Sequence, residues 1–152
     1  MAEATLTLSS TAFDNDGQIP SKYTCEGDNT SPELKWGPTP EQAQSYALIV
    51  DDPDAPVGTF THWVLFDIPA RAEGLPENAD EGVTGQNDFK DVGYGGPCPP
   101  SGDKPHRYFF RLHALDTETL ELQEGASREE VEDAMKDHVV ATAEVMGTYQ
   151  RT

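Results

Sequence analysis

A mainly β fold with peripheral helices is predicted by three stretches of this 152-residue sequence. His106, Tyr108, Phe110, Leu112 and Ala114 alternate with Arg107, Arg111 and His113, the period of a strand with one face turned inward. Ser45-Tyr-Ala-Leu-Ile-Val-Asp51 is a continuous apolar run closed by turn residues, as expected of a central strand covered on both faces. Phe60 to Ile68 is a further strand, ended by Pro69. The length suits one domain, residues 1–152, with a real core.

In chain order, Thr5-Leu-Thr-Leu8 alternates like a short strand, and Phe13 to Asp28 is turn-rich. A strand follows near Leu34 to Trp36, broken by Gly37-Pro-Thr-Pro40. In the central strand Tyr46, Leu48, Val50 and Asp52 share a face, so Asp52 continues a buried row just before Pro53-Asp-Ala-Pro56. In the next strand His62, Val64, Phe66 and Ile68 are read as pointing one way, with His62 opening that row. Antiparallel pairing of these two strands through residues 53–59 brings Asp52 and His62 to one edge. Residues 70–105 read as loops with short strands near Val83 and Tyr94. Ser127-Arg-Glu-Glu130 is a capping box, and Val131, Ala134, Met135, His138, Val139, Thr142, Val145 and Met146 form a helical stripe that Gly147 would stop. His138 and His113 read as packing residues.

Charge and cysteine content narrow the function. Twenty-eight Asp and Glu against ten Lys and Arg give a net charge of -18, spread along the chain, which argues against a nucleic-acid partner. Combined with its aromatic strands, this acidity reads as a folded protein adapted to high salt. At molar salt the Debye length is about 3 Å, so recognition must come from short contacts in a pocket. The two cysteines, Cys25 and Cys98, are too few for a secreted disulfide scaffold. They read first as small buried fillers, with a Cys25–Cys98 bond as the lesser alternative. With no signal peptide or apolar span recognised, the expectation is a cytoplasmic protein without stable membrane insertion.

The densest local signal is Tyr94-Gly-Gly-Pro-Cys-Pro-Pro-Ser-Gly-Asp-Lys-Pro-His-Arg-Tyr108, a Gly/Pro loop that runs directly into a strand. Glycine permits close backbone approach and proline stiffens the path, so the loop is a shaped one. It delivers His106 to the first position of an inward-facing row.

These residues, with Asp52-Pro-Asp-Ala-Pro56, Thr61-His-Trp63 and Pro105-His-Arg-Tyr108, resemble the phosphatidylethanolamine-binding protein family, also called the Raf kinase inhibitor family, in its bacterial and archaeal branch. The resemblance runs from about residue 5 to Gly147-Thr-Tyr-Gln-Arg151. It implies a large central antiparallel sheet beside a smaller one, peripheral helices, and a small anion pocket at the sheet edge. Carried over by motif, the ligand-binding residues are Asp52, Asp54, His62, His106 and Tyr108, with Gly96, Pro97 and Pro99 in the loop that forms a wall. It further implies a cis Ala55–Pro56 bond. The short connection Val57-Gly-Thr-Phe-Thr61, the single His before Trp63 and the C-terminal segment set the chain apart from the animal proteins, and weigh against Raf-type kinase inhibition.

The function expected is binding of a small phosphorylated or anionic ligand, with no cofactor. Histidine, the Tyr108 hydroxyl and loop N–H groups would donate to the anion, and Asp52 would orient a histidine or hold an ammonium. A protein-interaction regulator of a kinase or protease is the alternative. A hydrolase built on His62, His106, Asp52 and Ser101 is disfavoured because Ser101 has no nucleophile-elbow setting. A two-histidine, one-carboxylate metal site lacks any supporting motif. An exposed edge strand or the apolar helix stripe offers a surface for a homodimer.

Overall fold

The computed structural model describes residues 5–151. Its element order is β1 (Thr7–Ser9), β2 (Gly17–Gln18), β3 (Leu34–Gly37), β4 (Ser45–Asp52), β5 (Phe60–Pro69), β6 (Gly74–Leu75), β7 (Val83–Thr84), β8 (His106–Leu115), α1 (Arg128–Met135) and β9 (Val139–Tyr149), with a 3-10 turn at Ser21–Tyr23. Six strands form the large sheet in the order β2-β9-β8-β4-β5-β7, and β1-β3-β6 form the small one. Every pairing is antiparallel except that of β2 with β9 at the edge.

β4 carries an unbroken apolar run because both of its faces are covered. Tyr46, Leu48 and Val50 pack with Leu8, Leu34 and Trp36 of the small sheet, while Ala47 and Ile49 pack with Val131 and Met135 of α1. All eight β4 residues are buried.

The expected single row on β5 is split. Val64 and Phe66 face α1, whereas Trp63, Leu65 and Ile68 face the small sheet. Two bulges cause this. Val50 pairs with Trp63 but Asp51 pairs with Thr61, leaving His62 as the extra residue. A bulge puts neighbouring side chains on one side, so His62 joins Trp63 on the small-sheet face while Thr61 turns to Arg128 at 3.2 Å. A second irregularity between Tyr46 and Leu48, beside Asp67 at φ 55°, returns Ile68 to the small-sheet face.

The C-terminal region departs further from expectation. The capping box forms, with Ser127 Oγ accepting from Glu130 N at 3.1 Å and Glu130 Oε1 accepting from Ser127 N at 3.0 Å. The helix, however, ends at Met135, and residues 139–149 are a strand paired with β8 from His106↔Tyr149 to Leu115↔Val139. Val145, Gly147 and Tyr149 are its buried positions, period two and not 3.6. The β-branched residues Val139, Val140, Thr142 and Val145 suit that ladder. Gly147 is no helix stop: a Cβ there would lie 2.6 Å from Ile19 Cγ1 and 2.9 Å from Phe13 Cδ2, so glycine lets residues 13–19 lie against β9. His138 is exposed and holds Asp116 at 2.8 Å, and Tyr94 lies outside any strand. The cis peptide is Gly37–Pro38; Ala55–Pro56 is not cis.

Cys25 and Cys98 form a disulfide, against the reading as buried fillers. The two loops are also tied by Cys25 N to Pro97 O (3.1 Å), Gly96 N to Asn29 Oδ1 (2.9 Å) and Tyr94 Oη to Tyr23 O (2.7 Å). A Gly/Pro loop has few donors of its own, so the cross-loop bonds and the sulfur bridge hold its shape.

Candidate functional site

At one end of the large sheet the last residue of β4 and the first residues of β5 and β8 surround a cavity of about 230 Å³. Asp52, His62, His106 and Tyr108 form its polar part, and Ala55, Pro56, Val57, Phe60, Phe89, Cys98, Pro99 and Pro100 complete the wall. Antiparallel register supplies Asp52 beside Phe60, and the β5 bulge turns His62 into the same space. A wider cleft of about 540 Å³ lies beside Thr59, Asp88 and Arg128, but its arginine is already paired with Asp51 at 2.9 Å.

His106 is buried between two carboxylates. Its Nδ1 lies 2.7 Å from Asp52 Oδ2 and its Nε2 lies 3.0 Å from Asp103 Oδ2. Carboxylate oxygens only accept, so both ring nitrogens donate and the ring is an imidazolium. Burial opposes that charge, but the hydrogen bonds His106 donates to Asp52 and Asp103 prevail and raise the pKa above the usual histidine value. Neither of its N–H groups is free for a ligand unless a carboxylate yields.

His62 is the opposite case. Its Nδ1 lies 2.7 Å from the Gly95 carbonyl oxygen, an acceptor, so Nδ1 carries the proton. Burial lowers its pKa, against smaller contributions from the Gly95 and Gly96 backbone and the charge of Asp52. The ring is therefore neutral, with a lone pair on Nε2. It packs against Phe60, Phe89 and Tyr108, with ring centroids 5.0, 5.4 and 5.2 Å away. Tyr108 is 1% exposed, and its hydroxyl has no hydrogen-bond partner among the described residues. Burial first, then the charge of Asp52 and the approach of its carboxylate to the hydroxyl, short of a well-formed hydrogen bond, raise its pKa and keep the proton on oxygen.

The motif residues fall into two groups. Asp52, His62, Pro99, His106 and Tyr108 line the cavity. Asp54, Gly96 and Pro97 stand behind it. Asp54 accepts from Arg107 N, Nε and Nη2, each at 2.9 Å, and this clamp fastens the 53–59 loop to β8. The Arg107 hydrogen bond holds the Asp54 carboxyl down at about 2, against burial. Gly96 touches the 23–29 loop so closely that a Cβ would lie 2.2 Å from Tyr23 O. The Asp52 Oδ1 to Asp54 N bond, 2.8 Å, joins the groups.

Sequence reasoning missed Asp103, Val57, Phe60 and Phe89. Asp103 stood three residues before His106, a spacing that could have flagged it. Phe89 lies in a loop without periodicity, and only packing beneath Gly95 brings it to the cavity.

Comparison with known proteins identifies relatives of this chain in sequence and in fold. The chain is 52% identical over 153 residues to a UPF0098 protein of Methanothermobacter thermautotrophicus, covering 96% of this chain and 99% of that one. A UPF0098 protein of Aquifex aeolicus is 47% identical, over 97% and 90% of the two chains. Among solved structures, a phosphatidylethanolamine-binding protein homologue from Chlamydia trachomatis superposes with a TM-score of 0.93 at 39% identity, covering 99% of this chain and 100% of that one. YbcL of E. coli, described as a member of the mammalian PEBP family, gives 0.91 at 35% identity, covering 98% and 100%. The two structural neighbours carry the name of the phosphatidylethanolamine-binding protein family, whose model also matches this chain. Its match extends over residues 9–150, and the chain belongs to the phosphatidylethanolamine-binding protein family.

Proposed function

We propose that the chain is a binding protein for a small phosphorylated or otherwise anionic ligand, received in the cavity at the sheet edge. The observation that carries this reading is the buried, unpaired Tyr108 hydroxyl, which lines the cavity beside His62. A buried donor without a partner costs about 1–3 kcal/mol, which a ligand oxygen would recover. The apolar wall of Pro56, Val57, Phe60 and Phe89 limits hydration around the group bound there. Titration by calorimetry with phosphate and with phosphoethanolamine tests the reading. Saturable binding to wild type, lost in Tyr108→Phe, is expected; equal affinity in the two proteins would refute it.

A second reading, a regulator that docks a kinase or protease, draws on the rim of the same cavity, where Val57 is 91% and Phe89 41% exposed. A pull-down at molar salt that returns a stoichiometric protein, lost in Val57→Asp, would favour it. The net charge of -18 supports a halophilic setting, for which an unfolding midpoint that rises between 0.2 and 3 M potassium chloride is the expected behaviour. Among the described residues no helix is long and apolar enough to cross a membrane.

A further inference from the structure

We propose that the cavity selects the hydrogen-phosphate form of its ligand, a monoanion bearing one P–OH, and so takes phosphate monoesters while rejecting sulfate esters. This rests on the reading of the cavity as an anion site, and adds the ligand's protonation state to it.

Two polar groups of the cavity, His62 and Tyr108, have opposite roles. Gly95 O accepts from His62 Nδ1 at 2.7 Å, which leaves Nε2 an acceptor in the neutral ring. Tyr108 Oη, on a ring 5.2 Å from that of His62, is a donor without a partner. A ligand that satisfies both must bring one acceptor and one donor. A phosphate monoester monoanion has both: P–O⁻ accepts from Tyr108, and P–OH donates to His62 Nε2. A sulfate ester has acceptors only and would turn an oxygen towards the Nε2 lone pair.

Charge acts in the same direction. No Lys or Arg lines the cavity. Facing His62 are Asp52 of β4, Asp88 of the loop after β7, and Tyr108 of β8. Asp88 is occupied by Thr61 N at 2.7 Å, and behind Tyr108 the His106 imidazolium is shared between Asp52 and Asp103. With two carboxylates around one imidazolium, a ligand dianion is repelled more than a monoanion. Burial keeps His62 from supplying the missing proton itself.

Calorimetric titration of the intact wild-type protein with methyl phosphate and methyl sulfate, at pH 5.5 and 8.0 in fixed sodium chloride, tests the proposal. The two esters are close in shape and their monoanions carry equal charge, but only the phosphate bears an acidic O–H. Methyl phosphate is expected to bind at least ten-fold tighter than methyl sulfate at pH 5.5. Its affinity should fall roughly seventy-fold by pH 8.0, as the monoanion is lost above a second pKa of about 6. Tyr108→Phe should weaken methyl phosphate at least ten-fold while leaving the pH profile in place. Equal binding of both esters at pH 5.5 would mean that His62 is protonated on binding and would overturn the inference while leaving the anion site standing. Affinity for methyl phosphate that is constant or rising to pH 8.0 would overturn it as well. No heat with either ester at either pH would remove the anion site and the inference together.

Discussion

Removing the Cys25–Cys98 bridge, by reduction or in the double variant Cys25→Ala/Cys98→Ala, is expected to lower stability by about 4 kcal/mol. The bridge joins residues 73 apart. In the chain-entropy description a closed loop of that length removes about 15 cal/mol/K from the unfolded ensemble, or about 4.4 kcal/mol at room temperature. The folded state should keep its shape, because Cys25 N, Gly96 N and the Tyr94 hydroxyl still tie the two loops together. The loss therefore acts mainly through the unfolded chain. For a domain of this size each kcal/mol moves the midpoint by about 2–4 °C, so thermal unfolding should shift downward by about 8–16 °C. Guanidinium unfolding followed through the buried Trp36 and Trp63 measures the free energy directly. A thiol titration in denaturant should find no free thiol before reduction and two after it. A change below about 1 kcal/mol on reduction would refute the argument, as would two free thiols in the untreated protein.

The two cavity histidines should give stability a maximum near pH 6.5. His62 has a lowered folded pKa, so its contribution is complete above 6.5 and is lost as pH falls. His106 has a raised folded pKa, so its contribution is complete below 6.5 and is lost as pH rises past it. Urea midpoints from pH 5 to 9 should show the acid limb flattened in His62→Gln and the alkaline limb flattened in His106→Gln; unchanged limbs would refute the assignment. Gly96→Ala should destabilise more than Gly147→Ala, since the first sets a Cβ 2.2 Å from the Tyr23 carbonyl and the second meets movable side chains of Ile19 and Phe13. Chemical denaturation should give about 1–3 kcal/mol for Gly147→Ala and more for Gly96→Ala. Ser127→Ala should cost about 1 kcal/mol through the lost capping box, and Ser127→Gly only a few tenths, read from the same curves.

By itself the sequence determined three of the four long strands and which residues open them, because alternation and burial are local properties of the chain. β4, β5 and β8 were legible in this way; the convergence of Asp52 and His106 was implied by the family resemblance of their motifs. The capping box fixed where α1 begins. Its end was not legible, since Val139, Thr142, Val145 and Met146 satisfy a helical period by coincidence, and only pairing along the whole of β8 makes residues 139–149 a strand. His62 was predicted at the cavity for the wrong reason. Simple alternation puts it with Val64 and Phe66 facing α1, and the bulge opposite Val50 and Asp51 turns it to the cavity side.

Tertiary structure alone decided the chemistry of the site. Proton positions depend on partners far away in sequence: Gly95 O for His62, and Asp52 together with Asp103 for His106. Asp54 has the residue type of a ligand-binding group, yet its distance to Arg107 makes it a clamp. The pairing of Cys25 with Cys98 and the arrival of Phe89 likewise follow from loops packed across the fold. Period and composition encode which face a residue takes; donor, acceptor and charge roles are set by the neighbour it meets, and that neighbour is fixed only when the chain has closed.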